Sequence, residues 1–262
     1  MIDKVVRDPA AAVAGIADGA TVMIGGFGRA GQPIELIDAL IEQGARDLTI
    51  VNNNAGNGDV GLAALLAERR VRKIICSFPR QSDSWVFDAL YREGAIELEL
   101  VPQGNLAERI RAAGAGIGAF YTPTGVGTEL AAGKETREIG GRTYALEYPI
   151  SADVALISAL SADRWGNLVY RATARNFGPI MAAAAQLTVA QVDGVVPLGG
   201  IDPEVVVTPG IYVDRVVAVG ERPWLRDGAF VGGVDLAGDP VPEAPAPAAP
   251  AAPAAPPEEA AR

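Results

Sequence analysis

Between residues 25 and 31 the chain runs Gly25-Gly26-Phe27-Gly28-Arg29-Ala30-Gly31, four glycines in seven residues. Glycine tolerates positive φ and has no Cβ, so such a loop lets a ligand lie directly against backbone N–H groups. The β-branched and apolar run Thr21 to Ile24 before it reads as a buried strand. Pro33, followed by Ile34 to Ile41 at helical spacing and stopped at Gly44, reads as a helix. Strand, glycine loop and helix N-terminus in that order predict a site for a phosphate or a developing anion, with free N–H groups and the helix dipole aimed into the loop. A second candidate is Gln103, within Val101-Pro102-Gln103-Gly104. Held at the mouth of a site its amide donates to an oxyanion, although a Pro-Gln-Gly turn also serves structure alone.

What the chain lacks narrows the chemistry further. It has no histidine, which removes Ser-His-Asp and Cys-His catalysis, the usual general base and nearly every zinc site. No metal site is expected. Carboxylates, amides, hydroxyls, Lys, Arg and backbone dipoles remain. The lone cysteine, Cys76, ends the apolar run Lys73-Ile74-Ile75-Cys76 and reads as a small buried hydrophobe rather than a nucleophile. The glycine loop itself has more than one reading. Gly26 to Gly31 satisfies G-x-G-x-x-G, the dinucleotide fingerprint of a Rossmann-like nucleotide-binding protein. That fingerprint also wants a carboxylate at the tip of the second strand. Here the second strand, Leu48 to Val51, runs into Asn52-Asn53-Asn54 instead. A tight strand-to-helix turn with no ligand is the plainest alternative.

These residues need elements to position them. Asp8-Pro9 caps a first helix through Ile16, and Asp18-Gly19 turns into the first strand. Val60 to Arg70 reads as a helix, Lys73 to Cys76 as a strand, Asp83 to Glu93 as a helix ended by Gly94, and Ile96 to Val101 as a strand. Such alternation predicts an α/β fold: an open, mostly parallel twisted sheet with helices on both faces. Ligands of such sheets bind beyond the carboxyl ends of the strands. The glycine loop, the loop from Asn52 to Asp59, the loop from Cys76 to Asp83 and Pro102-Gln103-Gly104 all fall there. The second half is less regular. Thr136 to Tyr148 predicts a hairpin turning at Gly140-Gly141. Asp153 to Ser158, Asn167 to Tyr170, Leu187 to Val192 and Ile211 to Val219 read as strands, and Ala172 to Ala185 as a helix interrupted at Gly178-Pro179. From Ala237 the chain is Pro, Ala and Glu with hardly a large apolar residue, so residues 1–236 are expected to form one domain and residues 237–262 a disordered tail.

The 262 residues carry a net charge of −10 without a Lys/Arg cluster, so nucleic acid is not an expected partner. No apolar run is long enough to span a membrane. The charged N-terminus, Met-Ile-Asp-Lys-Val-Val-Arg-Asp-Pro, does not read as a secretory signal, and a single cysteine allows no internal disulfide. A cytoplasmic protein is expected.

The stretch Asp18 to Pro33 is longer than the fingerprint and more specific. Asp-Gly, two residues, three apolar residues, Gly-Gly-Phe, three residues and Gly-x-Pro resemble the signature of the family I coenzyme A transferases. So do Val101 to Arg111, Ala119-Phe120-Tyr121-Thr122-Pro123-Thr124-Gly125 and Asp163-Arg164-Trp165-Gly166-Asn167, spreading the resemblance over residues 3 to 219. Within that family, Cys76 to Ser84 is similar to the A (α) subunits of the 3-oxoadipate branch rather than the acetoacetate branch. The resemblance implies transfer of coenzyme A from succinyl-CoA to a 3-oxo acid in aromatic-acid breakdown, through an acyl-glutamyl anhydride and a glutamyl-CoA thioester. It makes Gln103 the oxyanion-hole glutamine and Gly25, Gly26, Phe27, Gly28, Arg29, Ala30 and Gly31 the coenzyme A-binding segment. Coenzyme A enters as a thioester substrate, and no tightly bound cofactor is implied. The nucleophilic Glu of the family belongs to its second half, which this chain does not resemble. Glu93-Gly94 is the nearest formal candidate and reads as a helix end. A separate B (β) subunit is therefore expected, in a heterodimer or α2β2. The distal carboxylate of 3-oxoadipate needs a cation, and Arg29 and Arg80 stand at the predicted mouth. Arg109 and Arg111 read as structural.

Overall fold

The computed structural model describes residues 2–81 and 83–220. The tail expected from residue 237 lies outside the described residues. Helix α1 (Pro9–Val13) begins as its sequence requires: the Asp8 carboxylate accepts from Ala11 N at 2.7 Å, and Pro9 occupies a position with no N–H to lose. Strands and helices then alternate as β1 (Thr21–Ile24), α2 (Ile34–Gln43), β2 (Leu48–Val51), α3 (Leu62–Ala67), β3 (Val71–Cys76), α4 (Trp85–Arg92) and β4 (Glu97–Leu100). Gly44 ends α2 with φ at 96°, a left-handed cap that glycine adopts without strain.

The second half supplies α5 (Gln103–Gly114), β5 (Phe120–Thr122), β6 (Thr136–Ile139), β7 (Arg142–Glu147), β8 (Ala152–Asp163), β9 (Leu168–Val169), α6 (Gly178–Ala184), β10 (Ala185–Val196) and β11 (Arg215–Ala218). The main sheet runs β11-β10-β8-β1-β2-β3-β4 with every neighbouring pair parallel, and β9 lies antiparallel on β8. A separate antiparallel sheet has the order β5-β7-β6. Its hairpin turns at Gly140 and Gly141, whose φ values of 59° and 76° are what a two-residue turn between twisted strands demands.

Alternate residues of the central strands enter opposite layers. Val22, Ile24, Ile50 and Ile74 pack with Leu36, Leu40, Leu65 and Phe87 from α2, α3 and α4. Met23, Val51 and Ile75 pack on the other face with Leu106, Ile110 and Met181 from α5 and α6. The expected open parallel sheet with helices on both faces is the fold. No described helix is long and apolar enough to cross a membrane.

Three local expectations are corrected. Gly178-Pro179 opens α6 instead of interrupting a longer helix, because Pro is tolerated in a first turn and not within one. Ile211 to Val219 is a 3₁₀ turn at Gly210–Tyr212 followed by the shorter β11. β8 and β10 run well past their apolar segments, because they pair with one another from Ala152 and Ala185 as far as Asp163 and Val196.

Candidate active site

Because β1, β2, β3 and β4 are parallel, the four loops that follow them emerge at one edge of the sheet, and hydrogen bonds tie them together. Asn52 Nδ2 donates to Ile24 O at the end of β1, at 2.5 Å. The Asn52 and Asn54 side chains then fold their own loop: Asn54 N donates to Asn52 Oδ1 at 2.8 Å and Gly56 N to Asn54 Oδ1 at 2.9 Å, a pair of Asx turns. Ser77 N and Phe78 N, after β3, donate to Asn53 O at 3.1 and 3.0 Å. Asn57 Nδ2 reaches Asp83 Oδ1 at 2.6 Å, and Gly58 N reaches Asp83 O at 2.9 Å.

Gln103 is the first residue of α5, with Pro102 just before it. The expected Pro-Gln-Gly turn is thus the start of a helix. The Gln103 side chain is exposed at the mouth and donates through Nε2 to Asn53 Oδ1 at 2.9 Å. Ser77 Oγ donates to the same Asn53 oxygen at 2.7 Å. Asn53 was legible only as a turn former, since the partner that gives its side chain a task lies 50 residues on.

The glycine loop departs from expectation in its free donors. Gly25 N donates to Leu156 O at 2.9 Å and Gly26 N to Asn176 Oδ1 at 3.1 Å. Phe27 and Ala30 exchange a pair of bonds at 3.0 and 3.2 Å, folding Gly28-Arg29 into a tip. Four of the loop's amides are therefore engaged, and those of Gly28, Arg29 and Gly31 make no such bond among the described residues. The N-terminus of α2 is not free either. Leu36 N donates to Gln191 Oε1 at 3.1 Å, and Gln191 Nε2 donates back to Glu35 Oε2. This is a reciprocal cap supplied from β10. The donors left to a ligand are those of the loop tip, and the half-exposed Phe27 ring stands beside them.

Asn176 straps the loop from behind, donating through Nδ2 to Ala30 O at 2.9 Å. Gly31, with φ at 74°, fits there because an added Cβ would meet the Ala174 carbonyl oxygen. Nothing in the sequence near Asn176 announced this contact.

The two candidate cations differ. Arg80 Nε is held by Asp88 Oδ1 at 2.6 Å. Arg29 has no ion pair among the described residues and lies beside Gly58 and Trp85, where a Cβ on Gly58 would sit 3.1 Å from its Nη2 and 3.9 Å from the Trp85 ring. Arg109 pairs with Glu99 at 3.0 Å and Arg111 with Glu108 at 2.6 Å, the structural roles expected of them. Glu93 caps the end of α4 and pairs with Arg69 at 2.7 Å. Cys76 is fully buried, and burial pushes its thiol up to about 12 against a hydrogen bond from the Phe78 backbone that lowers it. Such a thiol is not a nucleophile at neutral pH.

The coenzyme A transferase family model matches residues 6–219. The chain belongs to that family. It is 69% identical over 219 residues to the A subunit of the 3-oxoadipate CoA-transferase of Pseudomonas putida, covering 84% of this chain and 95% of that one. It is 66% identical over 223 residues to the subunit of the same name from Acinetobacter baylyi, covering 85% and 98%. Among solved structures, an Escherichia coli O157:H7 acyl-CoA transferase in a thioester complex with CoA is 25% identical, with a TM-score of 0.71. The match covers 92% of this chain and 50% of that one. For this CoA-transferase family member, the mouth carrying Gln103 and the glycine loop is the candidate active site.

Proposed function

We propose that this chain is the A (α) subunit of a 3-oxoadipate CoA-transferase, moving coenzyme A from succinyl-CoA to 3-oxoadipate with release of succinate. The 69% and 66% identity, over 84% and 85% of this chain, with two proteins of that name carries the reading. The partner is a B (β) subunit, in a heterodimer or α2β2, working in the cytoplasm. Residues 1–236 act as the transferase domain, and coenzyme A is a substrate rather than a resident cofactor.

In this reading a glutamate contributed by the partner chain attacks the thioester carbonyl. The oxyanion that forms takes a hydrogen bond from Gln103 Nε2, whose second N–H is free of Asn53. Collapse expels the CoA thiolate and leaves an acyl-glutamyl anhydride. The thiolate returns to the glutamyl carbonyl and expels succinate, and the resulting glutamyl-CoA gives its CoA to the second acid by the reverse steps, which free the glutamate carboxylate. The Gly25–Gly31 segment receives the CoA thioester, with the Gly28 and Arg29 amides as its available donors. Glu93, the nearest formal candidate in this chain, caps α4 and is paired with Arg69 at 2.7 Å, which supports a nucleophile supplied by another chain. Arg29, without an ion pair among the described residues, is better placed than Arg80, which Asp88 holds, to bind the distal carboxylate of 3-oxoadipate.

The test follows transfer from succinyl-CoA to 3-oxoadipate with this chain, with the B subunit, and with both together. Activity in the mixture alone is expected. Activity from this chain alone would overturn the divided site, and a mixture active only with acetoacetate would overturn the substrate. Arg29→Ala is expected to raise KM for 3-oxoadipate about tenfold or more, the loss of a charge-assisted hydrogen bond, with little change for acetoacetate. Equal changes for both acids would remove Arg29 from specificity.

A further inference from the structure

We infer that Asn53 is a positioning residue that fixes the Gln103 amide, with Ser77 as the second lock; the inference rests on the oxyanion role proposed for Gln103. Three consecutive asparagines stand at the end of β2, and they do different work. Asn52 and Asn54 use their side-chain oxygens on backbone N–H groups of their own loop. Among the described residues, Asn53 Oδ1 accepts from two other side chains, Gln103 Nε2 at 2.9 Å and Ser77 Oγ at 2.7 Å. Its fold-holding contacts are made by its backbone carbonyl, which accepts from Ser77 N and Phe78 N and survives any side-chain change.

The burial is as divided as the bonding. Asn53 is 1% exposed, whereas Gln103 faces solvent. An exposed glutamine samples many rotamers, and an oxyanion donor must be held in place before charge develops. Asn53 takes one of the two Nε2 protons and so fixes the direction of the other. Ser77, by donating to the second lone pair of Asn53 Oδ1, holds the oxygen end of the Asn53 amide toward Gln103. The lock joins the tips of β2, β3 and β4, so it exists only when the sheet is assembled.

The experiment uses the assembled transferase with Asn53→Ala, Gln103→Ala, the double variant and Ser77→Ala, all checked for assembly with the B subunit. Gln103→Ala is expected to lower kcat about 100-fold, the loss of one oxyanion donor. Asn53→Ala should lower kcat about tenfold or more with KM for succinyl-CoA nearly unchanged, and Ser77→Ala a few-fold in the same direction. The double variant should be no slower than Gln103→Ala within about threefold, because residues acting as one unit are not additive. Multiplying effects in the double variant would overturn the positioning role. So would an unchanged kcat in Asn53→Ala beside a slow Gln103→Ala. An unchanged kcat in Gln103→Ala would overturn the oxyanion role itself, and the Asn53 assignment with it.

Discussion

At the residue scale, two glycines in one loop separate a backbone requirement from a packing one. Gly28 and Gly31 both have positive φ, 60° and 74°, but nothing lies within 4 Å of a Cβ on Gly28, while one on Gly31 meets the Ala174 backbone and Asn176. Gly28→Ala should cost about 1 kcal/mol of left-handed strain. Gly31→Ala should cost at least ~2 kcal/mol, because it must also displace the strap behind the loop. Thermal melting of the two variants ranks them, and a Gly28→Ala as damaging as Gly31→Ala would contradict the packing account. Cys76 gives a chemical counterpart. With its thiol buried and raised to about 12, it should resist iodoacetamide at pH 8 in the native protein and react fully in denaturant. Both glycines were visible in the sequence as a ligand loop. Which amides the loop keeps for itself was not, since Asn176 approaches from 150 residues away.

At the element scale, helix α2 depends on a residue of another strand. Gln191 is fully buried on β10 and bonds Leu36 N and the Glu35 carboxylate. Gln191→Ala leaves an orphan amide and an unpaired acid, an expected cost of about 1–2 kcal/mol. The melting temperature should fall by about 3–6 °C. Gln191→Glu should not restore it, since it sets a second carboxylate against Glu35. A melting temperature unchanged in Gln191→Ala would show the helix start indifferent to its cap. Elements that follow from local pattern were readable: Asp8-Pro9 for α1, Gly44 closing α2, Gly140-Gly141 for the hairpin. β8 and β10 were read too short because their outer halves, with Ser161, Asp163 and Gly194, are strand only through pairing with each other.

At the scale of the whole molecule, an ionic network joins the edge of the main sheet to the small antiparallel one. Glu99 on β4 takes Lys73 at 2.6 Å and Arg109 at 3.0 Å. The buried Glu147 on β7 takes Lys134 at 2.6 Å and Asn105 at 3.0 Å, with Arg109 at 3.8 Å linking the two acids. Glu99, Arg109, Lys134 and Glu147 of this network line an open cavity of about 580 Å³ between β4, α5 and the small sheet, beside Leu98, Leu130 and Leu146. Burial raises the Glu99 carboxyl, but hydrogen bonds and charge from Lys73 and Arg109 outweigh it and set its pKa below the ordinary 4.5. A carboxylate lowered in the folded state stabilises fully above its unfolded value and loses that contribution as pH falls through the folded one. Glu99→Gln should therefore lower stability at pH 7 by about 1 kcal/mol, a figure reduced for partial solvent screening. That difference should shrink steadily once the pH drops below 4.5. Melting curves of wild type and Glu99→Gln between pH 7 and pH 3.5 measure the gap directly. Converging curves place the acid sensitivity of this corner on Glu99, while curves that stay parallel down to pH 3.5 would assign it elsewhere in the network.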